Sequence, residues 1–168
     1  MSTMIFLESS ARVWLILHAI LGAATVAVAT HLVVWIRRYP RGDFARHAAA
    51  RWFATTALCL YAAQFTVGNL IYPVYKVRVR AEKFDAAEPP TGPRLARTFD
   101  VKEHWVVLGL GMSIALCGLA WGWDPRRDGA GAVHVFMGLA TGVALCAWLA
   151  AIIGLWVTSY RSVGGPTA

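Results

Sequence analysis

Long apolar runs dominate the chain: residues about 13–36, 52–71, 105–123 and 133–160 contain no Asp, Glu, Lys or Arg. A helix that crosses a bilayer takes roughly 20 such residues. The pattern therefore predicts an all-α fold, an integral membrane four-helix bundle. RRYPRGDFARHAAAR, between the first two runs, and WDPRRDGAGA, between the last two, are compact and rich in Pro, Gly and Arg, so each flanking pair should form an antiparallel hairpin. The middle connection, 72–103, is the one long extramembrane loop. It opens with VYKVRVRAEKF, where Tyr75, Val77, Val79 and Ala81 alternate with Lys76, Arg78, Arg80 and Glu82. Period two predicts an extended interfacial segment. EPPTGPR then reads as a polyproline-like link.

Composition excludes a separate soluble catalytic domain. Of 168 residues 58% are hydrophobic and 15% charged, with mean hydropathy +0.53. The four spans and their connections use the whole of 1–168 as one transmembrane domain, so the expected surroundings are a lipid bilayer and any chemistry lies in the bundle or at its mouths. The first apolar run is longer than a signal-peptide core and is expected to stay as a helix. The net charge of +7 comes from Lys and Arg in the connections, where lipid headgroups rather than nucleic acid explain it. Calling the N-terminal side A and the opposite side B, Lys and Arg are nearly balanced between the sides, so the positive-inside rule does not orient the chain. Cys59, Cys117 and Cys146 fall inside the spans without ligand spacing and are expected to pack.

Ionisable side chains at membrane depth are costly and mark function. Four of five histidines lie in or at the mouths of spans: His18 and His104 toward side A, His31 and His134 toward side B. His47, between Arg46 and Arg51, is expected to be a solvated loop residue. The depth match suggests two axial pairs, His18 with His104 and His31 with His134, each holding a haem iron from both faces. Gly22 lies four residues after His18 and Gly138 four after His134, leaving shallow helix surface for a porphyrin. His104 is followed by Leu108 at that position. The 13 residues between His18 and His31 set their side chains about 140° apart, so they must face different neighbours, His18 toward the third helix and His31 toward the fourth.

Four spans with histidines paired by depth resemble the membrane-bound di-haem cytochrome b subunits that exchange electrons with quinone. These include the four-helix anchors of respiratory dehydrogenases and the small superoxide-oxidising cytochromes b. Several such families space the two histidines of one helix by 14 rather than 13. The resemblance implies one or two b-type haems, a quinone, a place in the bacterial cytoplasmic membrane, and electron transfer as a respiratory-complex subunit. Asn69, Tyr72, Lys102 and Glu103 are the side A polar groups available to quinone carbonyls. The long segment 72–103, ending on His104, is the expected contact for a redox partner subunit. Two rival readings use the same residues. A cofactor-free accessory or anchor subunit would use the histidines and small residues for packing, and a proton path could run over His18, His31 and Gln64.

Overall fold

The structure, a computed structural model, describes residues 5–86 and 91–160. Four helices account for most of them: α1 (Ala11–Ile36), α2 (His47–Val74), α3 (Thr91–Gly122) and α4 (Val133–Tyr160). No strand occurs among the described residues. α1 packs on α2 and α3 on α4, and the α1–α4 and α2–α3 contacts close the ring. Each hairpin turns where the sequence provides it. Tyr39–Arg41 forms a 3-10 turn stopped by Gly42 at φ 76°, and Gly129 adopts φ 77° in the α3–α4 connection.

All four helices are long and apolar enough to cross a membrane. Only 22–39% of their most apolar windows is buried within the chain. The remaining apolar surface, including Val13, Ile20, Val107, Leu145, Ile152 and Leu155, faces outward, as expected for lipid contact. Inside, the central and side B core joins Leu32, Ile36, Tyr39, Tyr61, Leu116 and Phe136 across alanines 29, 50, 54, 120, 140 and 147. Two indole N–H groups tie neighbours together: Trp148 Nε1 donates to Thr30 Oγ1 at 3.0 Å and Trp121 Nε1 to Thr55 Oγ1 at 2.9 Å. Cys146 is buried, whereas Cys59 is exposed and Cys117 lies against Thr55 at 3.6 Å.

The middle connection departs from the extended loop. α2 runs on through Pro73 to Val74, and Tyr75–Phe84 continues as a π-helical segment. α3 begins at Thr91, so the second half of the expected link is helical too; Glu88, Pro89 and Pro90 lie outside the described residues. Proline has no N–H to donate to the carbonyl four residues back, which loosens the helix where the wider turns begin. Bonding five residues apart, as in Asp85 N–H to Arg80 O at 2.8 Å, brings residues four and five apart onto one face. Tyr75, Val79 and Phe84 are therefore buried together while Val77 and Ala81 stay exposed, which two-residue alternation does not anticipate. These residues join Ala11, Leu95, Ala96 and Val157 in a second apolar cluster that caps side A. Ion pairs fasten the cap: Arg78 bonds Glu8 at 2.6 Å and Glu82 at 2.7 Å, and Arg80 grips both carboxylate oxygens of Asp100 at 2.7 and 3.2 Å.

Glycine at 109 is a packing requirement. A Cβ there would collide with Tyr61 Oη and lie 2.9 Å from Cys146 Cβ. Gly109→Ala should cost about 1–3 kcal/mol through overpacking, read as a lower thermal unfolding midpoint in detergent. Gly118→Ala, which meets open space, should leave the midpoint unchanged.

Candidate functional site

Helix periodicity decides which candidate side chains enter the bundle. Residues two apart on a helix point about 200° apart, so one facing in turns the other out. Phe136 is fully buried in the side B core, and His134 is exposed. His31 is exposed as well and lies toward α2, its ring stacked on Phe53 at 5.7 Å and tilted against Trp35 at 5.8 Å. It does not turn toward α4. Gly138 is exposed with nothing near a Cβ built on it, so it opens outward rather than onto a space between helices.

The side B interior instead holds the histidine assigned to a solvated loop. His47 is 4% exposed at the start of α2. Its Nε2 lies 3.0 Å from the Trp123 carbonyl, which can only accept, so Nε2 carries the proton. Nδ1 is then the acceptor for the Tyr39 hydroxyl at 2.9 Å. Trp123 and Phe136 pack around the imidazole at centroid distances of 5.5 and 6.0 Å. Arg51 adds a 3.4 Å bond to the same carbonyl and a 3.5 Å ion pair with Asp124. Both imidazole nitrogens are engaged within the chain, so His47 joins the first connection, α2 and the end of α3. It is a fastening.

Side A is different. His18 sits half-buried on α1 with Nδ1 3.1 Å from the Gln64 backbone carbonyl. That oxygen again fixes the proton on Nδ1, and Nε2 keeps a lone pair. The ring lies over Gly68, where a Cβ would come within 3.1 Å of Cε1. Gly22 serves the same niche differently: a Cβ there would meet Gln64 Nε2 at 2.9 Å, so this glycine admits the Gln64 amide rather than a porphyrin edge. From α3, Lys102 reaches inward beside Gly154, with its ammonium 5.0 Å from the Phe99 ring centroid. No carboxylate lies within ion-pair distance of Lys102 among the described residues.

With Lys102 turned in, His104 two residues later is turned out. It is exposed, and its Nδ1 lies 2.8 Å from the Asp100 carbonyl of its own helix. The residue that α3 presents toward His18 is Lys102. Of the other polar candidates, Tyr72 stacks on Phe99 at 6.5 Å and belongs to the cap, and Glu103 lies half-buried beside Lys102. Asn69 is exposed and donates to the Phe65 carbonyl at 2.9 Å, so it does not join the niche.

The structure therefore brings neither expected histidine pair together. His31, His104 and His134 lie on outer faces, and Leu32, Ile36, Tyr39 and Phe136 fill the side B core. What α1 and α2 bring together is one pinned imidazole with a free nitrogen and a glutamine amide. Comparison with protein-family models, curated proteins and solved structures finds no match.

The contrast between the histidines can be measured. His47→Ala leaves buried partners of both ring nitrogens unsatisfied and should destabilise by about 1–3 kcal/mol. His134→Ala, on an exposed face, should stay within about 0.5 kcal/mol of the parent. Thermal unfolding in one detergent distinguishes the two.

Proposed function

We propose that the protein is the membrane anchor and quinone-handling subunit of a redox complex in the bacterial cytoplasmic membrane. Its working site is the side A niche of His18, Gln64 and Lys102. The observation that carries this reading is the His18 ring, held through Nδ1 on the Gln64 carbonyl over Gly68 with Nε2 unused.

A quinone needs two kinds of partner. Its carbonyl oxygens accept hydrogen bonds and become more basic as electrons arrive, while the hydroxyls of the quinol donate. Lys102 supplies N–H donors and positive charge that favour a reduced, anionic headgroup. His18 Nε2 supplies the acceptor for a hydroxyl, so the two side chains match opposite ends of the couple. Reduction takes two electrons from a redox centre of the partner subunit and two protons, forming two O–H bonds. The side A cap, with Lys76 and Val77 exposed on the π-helical segment, is the surface proposed to meet that partner. Arg78 and Arg80 are already engaged by Glu8, Glu82 and Asp100, so within the alternating run Lys76, which is exposed, and Lys83 are the basic residues without an ion pair among the described residues.

A b-type haem is the competing occupant. A metal-bound histidine commonly donates its other ring N–H to a carbonyl, as His18 does. His18 would then supply one axial ligand, with the second coming from outside the pairs read from the sequence.

Titration of the purified protein with a short-chain benzoquinone tests the assignment. His18→Ala and Lys102→Met should each weaken binding about tenfold or more, as expected for losing a hydrogen bond that involves a charged group. His31→Ala should leave binding unchanged. Equal affinity in all three variants would remove the niche from the reading. A reduced-minus-oxidised spectrum with a b-type band that disappears in His18→Ala would replace quinone by haem at this position.

A further inference from the structure

At the opposite end of the bundle lies a second feature that the redox reading does not use. An open pocket of about 300 Å³ sits where α1 ends, its lining including Val34, Trp35, Arg37, Arg38, Asp43 and Arg46. Three guanidiniums face one carboxylate. The single acid, Asp43, approaches Arg38 at 3.7 Å with both side chains well exposed, a geometry of little energetic worth, and its Oδ1 accepts the Ala45 N–H at 3.2 Å. Arg37 and Arg46 have no carboxylate within ion-pair distance among the described residues.

The pocket is built rather than incidental. Arg46 is held with its guanidinium carbon 5.0 Å from the Trp35 ring centroid, which fixes its planar fork without consuming its hydrogen-bond donors. The connection that carries Asp43 and Arg46 is secured from behind by the Tyr39–His47 bond and by Arg126, whose Nη2 reaches the Phe44 and Ala45 carbonyls at 3.4 Å. The lining residues differ in chemistry. The arginines are placed for a phosphodiester, which guanidinium groups bind through paired N–H bonds, while Val34, 47% exposed, continues the outer apolar surface of α1.

We propose that this pocket binds an anionic phospholipid, its phosphodiester gripped by Arg37, Arg38 and Arg46 and an acyl chain lying along Val34 and Trp35. The assignment rests on the membrane location proposed above. The shared ligand chemistry is a phosphate ester. Apolar side chains beside the cations select the lipid over free phosphate, because only a lipid joins an anionic head to a hydrocarbon tail.

Reconstitution of the full chain into vesicles tests the proposal. Vesicles of phosphatidylcholine containing a minor fraction of phosphatidylglycerol with matched acyl chains are extracted gently, and native mass spectrometry counts the lipids retained. Phosphatidylglycerol should be enriched on the protein about tenfold over its share of the vesicle. Arg37→Gln with Arg46→Gln should abolish the enrichment, and Arg127→Gln, the same charge change on the same side but outside the pocket, should preserve it. Asp43→Asn removes the competing acid and should increase retention, so the proposal stays open to refutation even where the double variant folds poorly. Glycerol phosphate at matched concentration should not displace the lipid; displacement would assign the site to a free phosphate ester. Equal retention of the two lipids by an inserted chain overturns the pocket alone. A chain that fails to enter the vesicles overturns the membrane reading and the pocket with it.

Discussion

Close approach of four helices through small residues is the constraint on which the rest depends. In lipid the hydrophobic effect does not draw helices together, so association rests on packing and on a few hydrogen bonds. Alanines at 29, 54, 120, 140 and 147 let the helices meet around Leu32, Leu116 and Phe136, and Gly109 lies against Tyr61 and Cys146. A middle filled this way is apolar and tight. The five histidines lie at the two ends or on the outer faces, while the polar groups buried between them, Thr25 and Ser113, each bond a carbonyl of their own helix.

The two inward histidines show what the ends do with polarity. His47 has both ring nitrogens committed, one to Trp123 and one to Tyr39, and its neighbours are bulky aromatics. Such a ring holds structure together and has no nitrogen left for a ligand. His18 has one nitrogen committed and is bordered by Gly68 and by the Gln64 amide that Gly22 admits. Chemistry needs the unused valence, and pre-orientation through the other nitrogen lowers the cost of using it. The proposal of a quinone site follows from this difference between two rings rather than from the presence of histidine in a span.

Much of the architecture was legible because the four runs free of Asp, Glu, Lys and Arg permit little besides long apolar helices. The hairpin ends were legible through Pro40, Gly42, Pro125 and Gly129. The middle connection was not. Alternation in VYKVRVRAEKF was read at period two, whereas the structure uses the wider turn that follows Pro73, burying Tyr75, Val79 and Phe84 and leaving Val77 out. Depth along the membrane was readable for each histidine, since depth depends only on residue count. Direction was not, since it depends on which face each helix turns inward. The burial of Phe136 and the inward reach of Lys102 set that face, and both histidines two positions away were turned out. His47 was misread because its arginine neighbours suggested solvent. Its burial comes from Tyr39, eight residues earlier, and from Trp123, 76 residues later, which no local pattern connects to it.

Charge distribution separates the two ends further. On side A the cations of the π-helical segment are largely absorbed by the fold, Arg78 between Glu8 and Glu82 and Arg80 on Asp100. On α3, Lys102 lies beside Gly154 and over the Phe99 ring. On side B, Arg51 and Arg127 are similarly matched by Asp124 and Asp128, but Arg37 and Arg46 are not. Neutralised arginines define a cap whose shape is fixed by internal ion pairs, suited to a partner surface with its own geometry. Unmatched arginines beside apolar side chains leave a charge that the surroundings must answer, which is the basis of the phospholipid proposal. The same residue type thus has opposite consequences at the two ends, and what decides between them is whether a carboxylate from the chain itself arrives within reach.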